Sequence, residues 1–217
     1  MSKVIAFSGG CFSGKTTAML AIKKSLENTG YKVVVLDELI RTATNKPIDE
    51  IRKNPSDYLK LQETIIRGKI EQEIKAFADI SDVVYLADRA ITDSLFYLQN
   101  YVDKSSFNDE EIIRFCNLHR DVIRHAKYAF SDFGYLSVIE FKPLRGENTD
   151  KFRPKHIDYS KEYEHDAIRA LNISFQSSYS SVRFIKYVDM NIEDVYDLAI
   201  SVVKLLKSQK WQSTLNI

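Results

Sequence analysis

Cysteine is scarce in this sequence: Cys11 and Cys116 are the only two in 217 residues. Two are too few for a disulfide framework, so the fold must rest on a buried apolar core. Neither charge sign prevails, since 31 Lys and Arg stand against 30 Asp and Glu for a net charge of +1. That balance excludes a bulk attraction to nucleic acid or membrane and leaves only a local basic groove open. No uninterrupted apolar run approaches the roughly 20 residues of a membrane span. Met1-Ser2-Lys3 leads into a short apolar run without the layout of a signal peptide, so a cytoplasmic protein with no membrane partner is expected. Internal repeats and low-complexity linkers are missing too. What is present is an ordinary apolar fraction of 44%, enough for a substantial core, and a length that suits one domain over 1–217.

Along the chain, apolar β-type runs alternate with helical periodicity. Strands are expected over 3–8, 32–36, 82–87, 136–141 and 182–188. The run Lys32-Val33-Val34-Val35-Leu36 is β-branched on both faces, as a strand covered by helices on both sides should be. Helices are expected over 16–28, 56–80, 92–101, 109–127, 161–178 and 192–207. Gly30 serves as the C-terminal cap of the first and Ser56 as the N-cap of the second. In the 109–127 helix, Ile112, Cys116, His119 and Ile123 share a face and read as core. Five strands alternating with helices predict a three-layer α/β sandwich around a five-stranded parallel sheet. Ligands in such folds bind at the carboxyl ends of the strands.

The first chemistry-bearing segment falls at such an end. Gly9-Gly10-Cys11-Phe12-Ser13-Gly14-Lys15-Thr16 fits G-x-x-x-x-G-K-[ST], follows a strand and opens a helix. Its glycines let successive N–H groups turn toward phosphate oxygens, and the helix that follows adds its positive end. Lys15 is placed for the β- and γ-phosphates of ATP. Thr16 offers a hydroxyl to Mg²⁺, and Thr17 closes the nucleotide-binding set that begins at Gly9.

A second acidic group is needed to hold the Mg²⁺ shell, and Asp88 ends the apolar run Val83-Val84-Tyr85-Leu86-Ala87. A helix-capping role is the bland reading of the same residue. Arg89 follows it, where a water-activating ATPase would carry Glu. Asn45-Lys46-Pro47-Ile48-Asp49 looks like a guanine-reading motif, but its Asp is one residue late and it precedes Asp88. An Arg at 89 suits transfer to an organic acceptor, pairing with phosphate oxygens as charge builds. Asp93 and Ser94, in the first turn of the next helix, read as capping groups.

Three blocks carry a family resemblance: 7–17, 30–41 (GYKVVVLDELIR) and 88–97 (DRAITDSLFY). The chain resembles the thymidylate-kinase-like nucleoside and nucleotide kinases, in the branch of nicotinamide-riboside-kinase-like P-loop proteins. The resemblance implies a P-loop fold of the nucleoside/nucleotide kinase type with ATP and Mg²⁺ as cofactors. It also implies an acidic residue past the second strand facing the acceptor hydroxyl, with an Arg three residues on approaching the acceptor's phosphates. Carried over by position, Glu38 is the hydroxyl-orienting group, with Asp37 its rival, and Arg41 the phosphate contact. The Arg-Glu-Pro of thymidylate kinases is missing at this turn, which weakens thymidylate as acceptor. Such kinases keep a lid where this chain has the polar stretch 142–160, which offers Arg145 and Arg153 as phosphate clamps.

The resulting expectation is a single P-loop kinase domain phosphorylating a small nucleoside, nucleotide or related acceptor. One rival changes the acceptor to a polynucleotide end or a hydroxylated base in DNA, making nucleic acid the substrate. Another is a nucleotide-binding regulator that hydrolyses ATP slowly. A homodimer is left open. His125, His156 and His165 show no metal-ligand spacing.

Overall fold

In the computed structural model, residues 3–10, 13–36, 39–142, 160–179, 185–188 and 192–214 are described. The chain runs β1 (Val4–Ser8), α1 (Lys15–Asn28), β2 (Lys32–Leu36), α2 (Ile40–Ala43), α3 (Ile48–Arg52), α4 (Pro55–Ala78) and β3 (Val83–Asp88). It continues with α5 (Ile91–Tyr101), α6 (Asp109–Ala129), β4 (Tyr135–Phe141), α7 (Ser160–Tyr179), β5 (Ile185–Val188) and α8 (Ile192–Thr214). The strands form one sheet in the order β2-β3-β1-β4-β5, and every adjacent pair is parallel. Parallel neighbours need crossover helices, and these cover both faces.

Two apolar clusters fill the layers. On one face Ile5, Phe7, Leu86, Ile139 and Phe141 pack against Ala18, Met19, Ile22 and Leu26 of α1 and Leu198, Val202 and Leu206 of α8. On the other, Val4, Ala6, Ala87 and Val138 meet α4, α5, α6 and Phe175 of α7. All five residues of β1 are buried because β3 and β4 flank it and helices cover both sides. β1 therefore fixes where the loop that follows it begins.

Three local expectations are corrected. β2 is an edge strand, and although Val33 and Val35 pack toward α1, Lys32 and Val34 are exposed on its other face. The N-cap of α4 is Asn54, not Ser56: its side chain accepts from the amides of Ser56 (3.1 Å) and Asp57 (3.2 Å), and Pro55 opens the helix. In α6 the buried stripe is Leu118, Val122, His125, Ala126 and Ala129, whereas Ile112 and Cys116 are exposed. The stripe that packs against α4 and α5 lies one helical step away, and it seats His125 on Glu73 of α4. The short helices α2 and α3 carry too few turns to leave a periodic signal.

Candidate active site

The turn after β1 is shaped by close backbone approach. Gly9 has φ 137°, and a Cβ there would lie 2.7 Å from the carbonyl oxygen of Phe141, so a side chain is excluded twice over. Gly14, at φ 76°, turns the chain into α1. The Lys15 ammonium is folded across the loop. It donates to the carbonyls of Gly9 (2.8 Å) and Gly10 (2.6 Å) and to Ser13 Oγ (3.0 Å), while the Ser13 hydroxyl donates to Gly10 O (3.0 Å). Lys15 thus lies buried at the loop rather than in the core. Thr16 and Thr17 are exposed at the start of α1. Cys11 and Phe12 lie outside the described residues.

Thr16 and Asp88 meet. The threonine hydroxyl donates to Asp88 Oδ2 at 2.9 Å, and the parallel register sets Asp88 beside Phe7, two residues before the loop. The two oxygens are hard donors at the positive end of α1. A phosphate-bound Mg²⁺ takes one or two such protein ligands and fills its remaining positions with phosphate and water. Among the described residues, no three His, Cys, Asp or Glu side chains gather into a site that would hold a metal unaided. The donor set therefore fits Mg²⁺ held jointly with a nucleotide.

Arg89 adopts φ 77°, a left-handed conformation unusual for a residue with a side chain. Its amide donates to Phe7 O at 3.0 Å, closing the turn against β1. The guanidinium Nη1 lies 3.1 Å from Tyr97 Oη, 3.4 Å from Gly9 O and 3.6 Å from Asp93 Oδ2, and the group stacks over the Tyr97 ring. The turn aims a cation at the mouth of the loop.

Asp93 does not cap α5. The N-cap is Ala90, without a side-chain cap bond, and the Asp93 carboxylate turns instead to the loop. It accepts from Ser8 Oγ at 2.5 Å and from the Gly9 amide at 3.2 Å. Burial pushes this carboxyl above its ordinary value, against the pull of Arg89 and Lys15. Ser8 also accepts from Asn172 Nδ2 (2.9 Å), which is shared with Glu140 Oε1 (2.9 Å), and Thr92 donates to Asn172 Oδ1. Glu140 is likewise raised by burial, with Arg169 3.7 Å away. Asn172 of α7 lies 164 positions from Ser8, and no motif spacing signals it.

Two further groups flank the site. Glu164 of α7 takes the hydroxyls of Tyr97 and Tyr101 (3.2 Å for the latter), and its side chain lies where a Cβ on Gly10 would meet it at 3.4 Å. Behind the end of β3, Glu73 is fully buried among Lys69 (3.1 Å), His125 (2.7 Å) and Tyr135 (2.5 Å). Burial favours its neutral form, but Lys69, His125 and Tyr135 outweigh that and hold it below its ordinary value. Lys69 also reaches the carbonyl of Asp88 (3.5 Å), and Tyr135 Oη accepts the Ile91 amide (2.9 Å), so the cluster pins the start of α5.

Of the acceptor-side expectations, Asp37, Glu38, Arg145 and Arg153 lie outside the described residues. Arg41 falls in α2, and its side chain is outside them too. Among the described residues no helix is long and apolar enough to cross a membrane.

Comparison with known proteins places this geometry in context. The sequence model of a family described as AAA domain matches residues 4–169. No curated protein matches the chain in sequence. Among solved structures, a deoxyadenosine kinase from M. mycoides with bound dATP aligns at TM-score 0.62 and 13% identity, covering 93% of this chain and 99% of that one. A NadR protein with NAD and AMP-PNP aligns at TM-score 0.54 and 18% identity, and a NadR protein with NR at 0.57 and 19%. Each covers 93% of this chain, which spans only 48% and 50% of those NadR chains. The likeness establishes an α/β fold of the P-loop kinase type.

Proposed function

Starting from a chain that belongs to the AAA domain family, we propose that it transfers the γ-phosphate of ATP to a hydroxyl or phosphate of a small nucleoside or nucleotide. The observation that carries the reading is the meeting of three groups at one strand-end pair. Lys15 lies across the loop, Thr16 bonds Asp88 at 2.9 Å, and Arg89 reaches Gly9 O at 3.4 Å. Phosphoryl transfer asks little covalent chemistry of a protein. It asks for positioning and for positive charge where the transferring group becomes more negative. Two cations and the amino end of α1 converge here.

In this reading Gly9–Thr17 cradle the phosphates, and Thr16 and Asp88 would hold Mg²⁺, which would offset the charge of the phosphates. Arg89 pairs with the oxygens of the transferring or acceptor phosphate. Glu38, with Asp37 as its rival, orients the acceptor hydroxyl, and Arg41 contacts an acceptor phosphate. Arg153 and Arg145 close over the γ-phosphate from a lid at 142–160. The nucleoside or nucleotide class of acceptor is supported by neighbours of the same fold that were crystallised with dATP and with NR.

The test is ADP release across a panel of nucleosides, nucleotides and nucleic acids. Release stimulated by a nucleoside or nucleotide is expected. Stimulation by polynucleotides alone moves the acceptor to nucleic acid, and slow release indifferent to every acceptor returns the chain to a regulatory ATPase; both outcomes overturn the proposal.

A further inference from the structure

Asp93 is a carboxylate in a place that disfavours it. Its side chain has no exposed surface, and an ion held there carries a heavy desolvation penalty. A helix cap would justify an acid in the first turn of α5, but Asp93 makes no cap bond. Instead, its oxygens divide between two chain segments. Oδ1 takes the Ser8 hydroxyl, while Oδ2 takes the Gly9 amide at 3.2 Å and faces Arg89 Nη1 at 3.6 Å. Ser8 and Gly9 come from the end of β1, and Arg89 from the turn after β3. The backbone joins those segments here through the Phe7–Asp88 register and the Arg89 amide bond to Phe7 O. Neither contact fixes where the guanidinium goes.

Electrostatics gives a second reason. Before a nucleotide arrives, the Lys15 ammonium, the Arg89 guanidinium and the amino end of α1 share a small volume and repel one another. Burial raises the Asp93 carboxyl above its ordinary value, while Arg89 and Lys15, both near enough to act on it, favour its ionised form. It thereby acts as an internal counter-anion behind the loop, leaving the front of the loop for phosphate. Ser8 transmits the constraint onward, since Asn172 of α7 donates to it at 2.9 Å.

We propose that Asp93 is a positioning residue that locks the first amide of the phosphate loop and the Arg89 guanidinium into one rigid unit, so that both address the same phosphate group. The effect on rate rests on the phosphotransfer reading above, whereas the effect on nucleotide affinity does not. Asp93→Asn keeps the volume and one accepting oxygen but removes the charge that Arg89 faces.

The experiment is a double-mutant cycle in the full chain, with Asp93→Asn made in the native and Arg89→Gln backgrounds. Acceptor-dependent kcat and the Kd of a fluorescent ATP analogue are read, and thermal melting controls for folding. Directly coupled pairs deviate from additivity by factors of about 2 to 150, and about tenfold is expected here. Asp93→Asn should therefore lower kcat about tenfold when Arg89 is present and less than about twofold when it is Gln. Analogue Kd should rise about threefold or more in the native background, through the Gly9 amide. Equal losses in both backgrounds overturn the proposal, because a general structural weakening does not depend on Arg89. Should Asp93→Asn fail to melt cooperatively, Ser8→Ala, which removes the hydroxyl on Oδ1, takes its place in the cycle; additivity there is equally fatal. If the native chain transfers phosphate to no acceptor, the kinase reading fails alone. Analogue binding then decides on Asp93, with an unchanged Kd in the variant refuting it.

Discussion

Tyr135→Phe removes a single oxygen from the middle of the buried cluster behind β3 and leaves the ring. That ring is packed edge-on to Phe77 (5.5 Å) and Phe130 (5.7 Å), so no cavity of consequence opens. Two bonds are lost. The phenol donates to the ionised Glu73 at 2.5 Å, and hydrogen bonds to charged groups contribute about 1.5–3 kcal/mol. It also accepts the Ile91 amide at 2.9 Å, and stranding a buried donor costs about 1–3 kcal/mol. The two losses overlap where the site relaxes, so destabilisation of about 3–5 kcal/mol is expected. For a chain of this size roughly 2–4 °C accompanies each kcal/mol, so the melting midpoint should fall on the order of 10 °C.

The pH dependence is a sharper check. Glu73 is held below its ordinary value of 4.5 by Lys69, His125 and Tyr135 against the opposing effect of burial. A carboxyl with a depressed folded-state pKa contributes stability that is present above the unfolded-state value. That contribution is lost as pH falls through the folded-state value. Native stability linked to Glu73 should therefore hold above pH 4.5 and decline below it. In Tyr135→Phe the depression is smaller, so the decline should be shallower and complete nearer that value. Thermal melting followed by circular dichroism from pH 3 to pH 7 measures both. A midpoint within about 2 °C of native, with an unchanged acid limb, would show that the cluster does not hold α5 in place.

Further outcomes follow from the loop and the acceptor side. Lys15→Ala should abolish phosphoryl transfer while the circular dichroism spectrum is retained, because Lys15 bonds the loop and not the apolar core; normal turnover in a folded variant refutes the phosphate-site reading. Asp88→Asn should lower the rate sharply and raise the Mg²⁺ concentration for half-activity, and an unaltered metal titration would reduce the Thr16–Asp88 bond to a structural one. Glu38→Gln should lose on the order of 10²–10⁴-fold in transfer with little change in ATP-analogue affinity, and loss in Asp37→Asn instead moves the role by one residue. Arg41→Ala should weaken binding of a phosphorylated acceptor and matter much less for a bare nucleoside.

The sequence by itself determined the elements that depend on near neighbours. Gly9–Thr16 is legible because a phosphate loop is one continuous stretch whose spacing is set by its own backbone. The Asp88–Arg89 turn is legible because it ends an apolar run, and the alternation of runs and helices announced the parallel sheet. Tertiary structure alone decided what long-range packing decides. It made β2 an edge strand, turned α6 one step so that His125 meets Glu73, and drew Asp93 away from its helix to Ser8 and Gly9. Asn172 and Glu164 had no signal at all, since their partners are 32 to 164 residues away and only the packing of α7 over the loop brings them there. Local spacing fixes which backbone can hold a phosphate. Which buried charge holds that backbone in place is settled by desolvation and pairing, and these exist only once the layers have closed.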